Sequence, residues 1–328
     1  MKELLKDLSQ SISVSGDEHA FSDKLLNMFS PFCTSVSKDD FGNVRAYIDA
    51  GRPETLVIES HIDEIGLIVT KCCDNGFLKF TNIGGIDAKI LPATEVIVHG
   101  KQDYFGIITA HVPSENDGKP LRIEDLYIDI GVVDSKIEVG DYISFKSNPQ
   151  NMLEDCMIAK SLDNRVGVGV LLETAKACKG KSLAYNIELI SAVQEEIGCR
   201  GAEMICLNDN VSAVIVIDAT HGISPVVDEN SGFSLDEGVA IGAGPSLSRQ
   251  ITQKLKDICR EQNFPYTVEV CAGNSGTDAW KFQTKNCGTP CGLVSVPLRY
   301  MHTPSEVVNV NTCRQLVTIL ENLLLKRG

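Results

Sequence analysis

The chain has 328 residues, 43% hydrophobic and 23% charged, a globular composition that excludes disorder and fibrous repeats and, at roughly 100–200 residues per domain, implies two domains or one large one. With 30 lysines and arginines against 44 aspartates and glutamates, the net charge is −14. Such a surface repels a phosphate backbone and excludes nucleic acid as a main partner.

At the start, Leu4, Leu5 and Leu8 fall at helical spacing among charges, so the segment reads as a docked helix and not as a signal peptide. A second amphipathic helical stretch follows. Residues 55–60 then read as a buried strand that runs into His61. From about Leu67 to Asp155, short β-rich runs are separated by turn signals at Asn75-Gly76, Gly84-Gly85, Gly100, Asp117-Gly118 and Gly140-Asp141, which predicts a small β module. From Ser161 onward strand and helix alternate. The spacing predicts a helix over 163–178, a strand over 186–193, a short helix over 201–207 and a strand over 211–218. A helix over 248–262 follows, with Ile251, Leu255, Ile258 and Cys259 on one face. A strand ending near Cys271, another over 291–296 and a last helix over about 312–325 complete the chain. The alternation implies an α/β fold with a mostly parallel central sheet flanked by helices, interrupted by the β insertion. The expected borders are 1–66 and 157–328 for the α/β domain and 67–156 for the insertion.

Even the longest apolar runs, such as residues 211–217, fall far short of the ~20 residues of a membrane helix, so no membrane partner is expected. The 12 cysteines form no Cys-x-x-Cys pair, and several (Cys156, Cys199, Cys259, Cys271) sit in apolar segments. Reduced, packed thiols in a cytoplasmic protein fit this better than a disulfide framework, although Cys287 with Cys291, or a member of Cys72-Cys73, have the spacing to pair.

Ligand sites in open α/β sheets form beyond the carboxyl ends of the strands, and four polar positions fall there. His61 ends the first buried strand, Glu195-Glu196 follow the strand over 186–193, Asp218 closes the strand over 211–217, and His302 lies just after the strand at 291. A fifth, Asp163, sits at a helix start and can face the same rim. Imidazoles and carboxylates together suit zinc, cobalt or manganese. In an extended segment Asp63 points to the same side as His61 and can hold its other ring nitrogen. Each position also has a plain alternative: a buried histidine satisfied by an aspartate, a surface acidic pair, a helix cap at Asp163, a loop histidine at His302. His19, His99 and His111 lack such context, while His221 fits a pocket wall. There is no His-Glu-x-x-His, Gly-x-Ser-x-Gly or Gly-x-x-x-x-Gly-Lys, and Gly167-Val-Gly169 lacks the third glycine of a dinucleotide fingerprint. The loop 274–278 reads as a helix cap or a substrate-contacting segment.

Taken in order, Ser60-His-Ile-Asp-Glu-Ile-Gly66, Ser161-Leu-Asp-Asn-Arg165, Gln194-Glu-Glu-Ile-Gly-Cys-Arg-Gly-Ala202, Ile217-Asp-Ala-Thr-His221, Ser275-Gly-Thr-Asp-Ala279 and Arg299-Tyr-Met-His-Thr-Pro304 resemble the motif series of the tetrahedral metallo-aminopeptidases, also labelled glutamyl aminopeptidase or cellulase M. The resemblance runs from the His61 strand to the final helix. It implies a zinc-peptidase-like domain with an inserted β-barrel or PDZ-like dimerisation domain, and two divalent ions per subunit, zinc or cobalt first and manganese next. His61 and Asp218 would bind one ion, Glu196 and His302 the other, and Asp163 both. Asp63 would support His61, and Glu195 would be the general base for a metal-activated water. Thr277, Asp278 and His221 are expected near the substrate. The implied substrates are peptides, shortened from the amino end, and the implied assembly is a homo-oligomer in which dimers build a tetrahedral dodecamer. Three departures stand out: Asn164 where an aspartate is common, Ser60 where a small apolar residue is usual, and Asn274-Ser275 where paired glycines are frequent. None removes a proposed ligand.

Two rival functions are a glycoside hydrolase, suggested by the paired carboxylates, and a non-catalytic assembly protein with a structural metal. The first needs two carboxyls flanking one bond ~5 Å or more apart, which adjacent Glu195 and Glu196 serve poorly. The second has no use for an unligated base.

Overall fold

The structure is a computed structural model describing residues 1–110, 120–131, 136–153 and 155–325. The turn expected at Asp117-Gly118, together with His111, lies outside the described residues. Four parallel strands form the heart of an 11-stranded mixed sheet, in the order Asn186–Ala192, Thr55–His61, Val211–His221, Cys291–Arg299. They are parallel because helices connect them on the sheet faces. They are also buried along most of their length, because both faces are covered. Leu56 and Ile58 pack into one core cluster with helices Lys2–Ser9, Leu162–Cys178 and Val310–Leu324, while Val57 between them packs into a second cluster with Ala202 and Phe282. That alternation is the two-residue period of a strand buried on both sides.

The sheet departs from the expected parallel arrangement at its margins. Ser35–Lys38 and Val44–Ile48 add antiparallel strands on one side, and Glu306–Asn309, Cys156–Ala159 and Gln150–Asn151 add them on the other. A further strand, Val239–Ala243, has no counterpart in the sequence reading. It lies antiparallel to Cys291–Arg299 and carries Tyr266–Val270 beside it. Its glycine-containing run (VAIGA) lacks the length and alternation by which short strands are recognised.

The insertion is a closed six-stranded antiparallel barrel made of Gly66–Cys72, Phe77–Ile83, Glu95–His99, Asp103–Ala110, Leu126–Asp129 and Tyr142–Phe145. Leu67, Leu78, Val96, Ile108, Ile128 and Ile143 fill its interior. The barrel ends with Tyr142–Phe145, and the next strand, Gln150–Asn151, already pairs into the large sheet. The structural border therefore falls before residue 150, ahead of the 156 expected from turn spacing. None of the 12 cysteines is in a disulfide, and Cys156 and Cys199 are only half-buried, in contrast to the burial expected of them.

A fully buried ion cluster ties the amino-terminal helix to the His61 loop. Arg165, the largest fully buried side chain, donates to the Leu8 carbonyl (3.1 Å), the Ser11 carbonyl (3.0 Å), the Ser13 hydroxyl (2.7 Å) and the Ile62 carbonyl. Glu64 accepts from Lys160 and Ser161, and its other oxygen lies 3.9 Å from Arg165. Burial pushes the Glu64 carboxyl up, but the Lys160 and Arg165 charges outweigh it and hold the group below its ordinary range. Glu64→Gln would leave two buried cations without their counter-charge. Its expected cost is about 3–5 kcal/mol, read as a lowered midpoint of denaturant unfolding, and an unchanged midpoint would contradict this account of the cluster.

Candidate active site

The His61-bearing strand has the next strand of the parallel core, Asn186–Ala192, on one side and the one after it, Val211–His221, on the other. The chain thus changes direction across the sheet beside His61, which is where open α/β sheets leave a crevice. All five expected ligand positions converge there. His61 Nε2 lies 3.2 Å from Asp163 Oδ1 and 3.6 Å from Asp218 Oδ1. His302 Nε2 lies 3.5 Å from Asp163 Oδ2 and 3.3 Å from Glu196 Oε2. Two potential ligand groups result, His61/Asp163/Asp218 and Asp163/Glu196/His302, sharing Asp163 through its two different oxygens.

Asp163 is not the helix cap that its position also allowed. Both Asp163 (ψ 104°) and Asn164 (ψ 43°) are non-helical, so the regular helix begins after them and the Asp163 side chain is free to face the histidines. Asn164 caps instead: its Oδ1 accepts from the Gly167 amide (3.0 Å). Its Nδ2 donates to the Ile217 carbonyl (2.8 Å) and to Asp218 Oδ1 (3.2 Å). An ionised aspartate has no such donor, so the departure at Asn164 has a local role in orienting Asp218. Asp218 itself does not close its strand, which continues to His221 and pairs as far as Leu298.

Asp63 sits beside the other ring nitrogen of His61 and braces the neighbouring turn. Its Oδ1 lies 3.3 Å from His61 Nδ1, out of hydrogen-bond alignment. The same carboxylate accepts from the amides of Glu195 (2.9 Å) and Glu196 (3.0 Å) and from the Ser15 hydroxyl. One fully buried aspartate thereby sets both the His61 loop and the turn that presents the two glutamates. Glu306, which belongs to no sequence motif, plays the matching part on the other side. It accepts from the His302 amide (2.9 Å) and the Asp163 amide (3.0 Å). An acid opening the apolar run over 306–308 was the only sequence signal for it.

The barrel contributes too. The Gly84-Gly85 turn packs against the site, and a Cβ on Gly84 would come within 3.3 Å of Glu196, one on Gly85 within 3.1 Å of His302. Gly84 also has φ +79°, a conformation that suits glycine. The other glycine pair singled out in the sequence, Gly167 and Gly169, serves helix packing: a Cβ at Gly167 would overlap Ser60 Oγ.

Glu195 stands beside the two groups and belongs to neither. Its Oε1 accepts from the Cys199 thiol at 3.3 Å, a contact that only the fold reveals. Burial, then the Asp218, Asp278 and Asp63 charges working against His61, push its carboxyl up to about 9. Burial and Asp163 hold Glu196 well above its ordinary range, and burial raises Asp218. His61 responds in the opposite sense: burial pulls it down, but Asp163, Asp218 and Asp63 more than compensate and leave it well above its ordinary value. The site is thus acid-rich and poorly hydrated, and a cation placed among these groups would relieve every one of the carboxyl shifts.

Thr277 and His221 line the cleft at this site, as do Asn274 and Ser275. Asp278 does not. It is buried with both oxygens unpartnered, facing Glu59 in the sheet, and burial pushes its carboxyl up to about 6. Its carboxylate lies within 4.8 Å of ligand atoms of Glu195 and Cys199.

Residues 42–319 match the family described as M42 glutamyl aminopeptidase. The chain belongs to that family. It is a peptide hydrolase of the aminopeptidase type. This M42 chain is 26% identical over 338 residues to a lysyl aminopeptidase of Pyrococcus furiosus, covering 98% of this chain and 97% of that one. An aminopeptidase of the archaeon Desulfurococcus kamchatkensis shares its fold with a TM-score of 0.91 at 26% identity, over 98% of this chain and 94% of that one. The TET1 peptidase of Pyrococcus horikoshii, described as assembling into a tetrahedron or a large octahedral shell, matches with a TM-score of 0.85 at 27% identity, over 99% of both chains. No helix among the described residues of the M42 chain is long and apolar enough to cross a membrane.

Proposed function

We propose that this M42 peptidase removes amino-terminal residues from peptides one at a time, with two divalent ions at the site and Glu195 as general base. The observation that carries the reading is the pair of ligand groups sharing Asp163, with a further carboxylate beside them that neither group uses. His61 and Asp218 would hold one ion, Glu196 and His302 the other, and Asp163 both. The mixture of imidazole and carboxylate donors fits zinc or cobalt, with manganese next. Bound there, two divalent ions supply Lewis acidity and a water of lowered pKa.

The chain's own groups account for the rest. Asp63, accepting from two successive amides, fixes the turn so that Glu195 and Glu196 diverge into separate tasks. Glu195 takes a proton from the attacking water and passes it to the leaving amine. In a site neutralised by cations, its carboxyl falls from the raised value toward one where it is ionised and able to accept. Thr277 and His221, on the cleft wall, would contact the peptide.

A homo-oligomer built from dimers, up to a tetrahedral dodecamer, completes the proposal. Exposed Phe105 and Ile107 on the barrel support its use in dimerisation. Twelve cysteines outside any disulfide suit the cytoplasm. Light scattering on the purified protein is expected to report a mass far above that of one 35.6 kDa chain, and a monomer at all concentrations would remove the assembly.

The activity is tested by stripping metal, reloading with zinc, cobalt or manganese separately, and assaying aminoacyl chromogenic substrates of acidic, basic and apolar type. Cleavage is expected with at least one ion and none in the stripped protein. Silence across the panel with every ion would favour the non-catalytic reading instead.

A further inference from the structure

We propose that Glu269 makes this enzyme select peptides whose amino-terminal residue carries a cationic side chain, lysine or arginine. The inference rests on the aminopeptidase reading above and names its substrate class.

Glu269 lies on the strand Tyr266–Val270, which only the tertiary structure brings to the sheet, and it lines the same cleft of about 460 Å³ as the proposed metal site. Its two oxygens are held separately. Oε1 accepts from the Thr220 hydroxyl at 2.7 Å and Oε2 from the Ser295 hydroxyl at 2.8 Å. Those hydroxyls come from two neighbouring strands of the parallel core, so the carboxylate is aimed by the scaffold rather than by a loop. Each oxygen keeps room for another donor. Neutral hydroxyls orient the charge without cancelling it, and the described lining contains no lysine or arginine.

Position connects this charge to the reaction centre. Thr220 is two residues beyond Asp218 in one strand, hence on the same side and about 7 Å further along. An amino-terminal residue whose amine is drawn to the carboxylates around Asp218 therefore has its own side chain within range of Glu269. The four-carbon stem of lysine, ending in an ammonium, or the guanidinium of arginine spans such a gap and meets a pre-oriented carboxylate. A glutamyl side chain would meet only like charge there, with no protein cation to offset it. The remaining carboxylates of the cleft are committed to the proposed metal ions or, in Glu195, to proton transfer, which leaves Glu269 as the group that reads the side chain.

The test compares kcat/KM of the metal-loaded holoenzyme on lysyl, arginyl, leucyl and glutamyl chromogenic substrates. The wild-type enzyme is expected to favour lysyl and arginyl over glutamyl. In Glu269→Gln the lysyl-to-leucyl ratio is expected to fall about 10–100-fold, the value of one hydrogen bond to a charged group, mainly through KM. Glu269→Lys is expected to move preference toward the glutamyl substrate. Thr220→Val, which releases one carboxylate oxygen, should shift the lysyl-to-leucyl ratio the same way by less, and it serves as the readout should the Glu269 variants not fold. A wild-type preference for glutamyl, or a lysyl-to-leucyl ratio unmoved by substitution, would overturn the proposal. Those failures are distinct from failure of the aminopeptidase reading, which would show as no cleavage of any substrate with any ion.

Discussion

Glu195→Gln is expected to retain its complement of metal and to lose about 10²–10⁴-fold in kcat, the range assigned to a positioned general acid or base. Glutamine keeps the shape and the acceptor oxygen but cannot take a proton. Its position makes the separation of metal content from turnover meaningful, because Glu195 lies outside both ligand groups. The Asp63 carboxylate holds the Glu195 backbone amide and not its side chain, so the substitution leaves the turn intact and Glu196 in place. The Cys199 thiol still finds an oxygen to donate to. Metal analysis alongside steady-state kinetics measures both quantities on one preparation. A variant with full activity would remove Glu195 from the mechanism, and one that also lost metal would make it a ligand.

Asp163→Asn should fail in the other way, by losing metal and with it all turnover. Asp163 is the residue common to both ligand groups, with one oxygen toward each histidine. Asparagine offers one oxygen and one amide nitrogen, and an amide carries no charge with which to offset two divalent cations. The fold itself should persist, since the Asp163 amide still donates to Glu306 and the Asn164 cap is untouched. Metal content after gel filtration, compared with circular dichroism, checks this. A folded variant that retained two ions per subunit would show that the groups do not depend on the shared carboxylate.

Four of the five expected ligand positions stood out in the sequence because each lies at or just beyond the end of a strand, and parallel strands end at a common rim. His61, Glu196, Asp218 and His302 needed only that rule, and the family's motif order assigned them provisional tasks. Asp63 was expected beside His61, since residues two apart in an extended segment share a side. Its hold on the amides of Glu195 and Glu196 was not, because those residues are more than 130 positions away and no local pattern couples them. Glu306 and Glu269 were invisible for the same reason. Each is a single acid in a short strand, indistinguishable from a solvated charge until long-range pairing places it beside other polar groups. Asp278 misled in the opposite direction: its motif neighbours Thr277 and Ser275 face the cleft, but the turn into the helix Ala279–Phe282 sends its carboxylate to Glu59.

By itself, then, the chain's pattern determined an α/β domain with an inserted β module, the acidic excess, and a set of histidines and carboxylates available to cations. These are local properties, written in periodicity, turn residues and strand ends. Only the tertiary structure decided that Asp163 is shared between two groups, that the Gly84-Gly85 turn of the barrel closes on Glu196 and His302, and that one strand sets Glu269 in the cleft wall. Each of those depends on contacts between residues distant in sequence, and such contacts are fixed by packing across the sheet and by buried charges that must find partners.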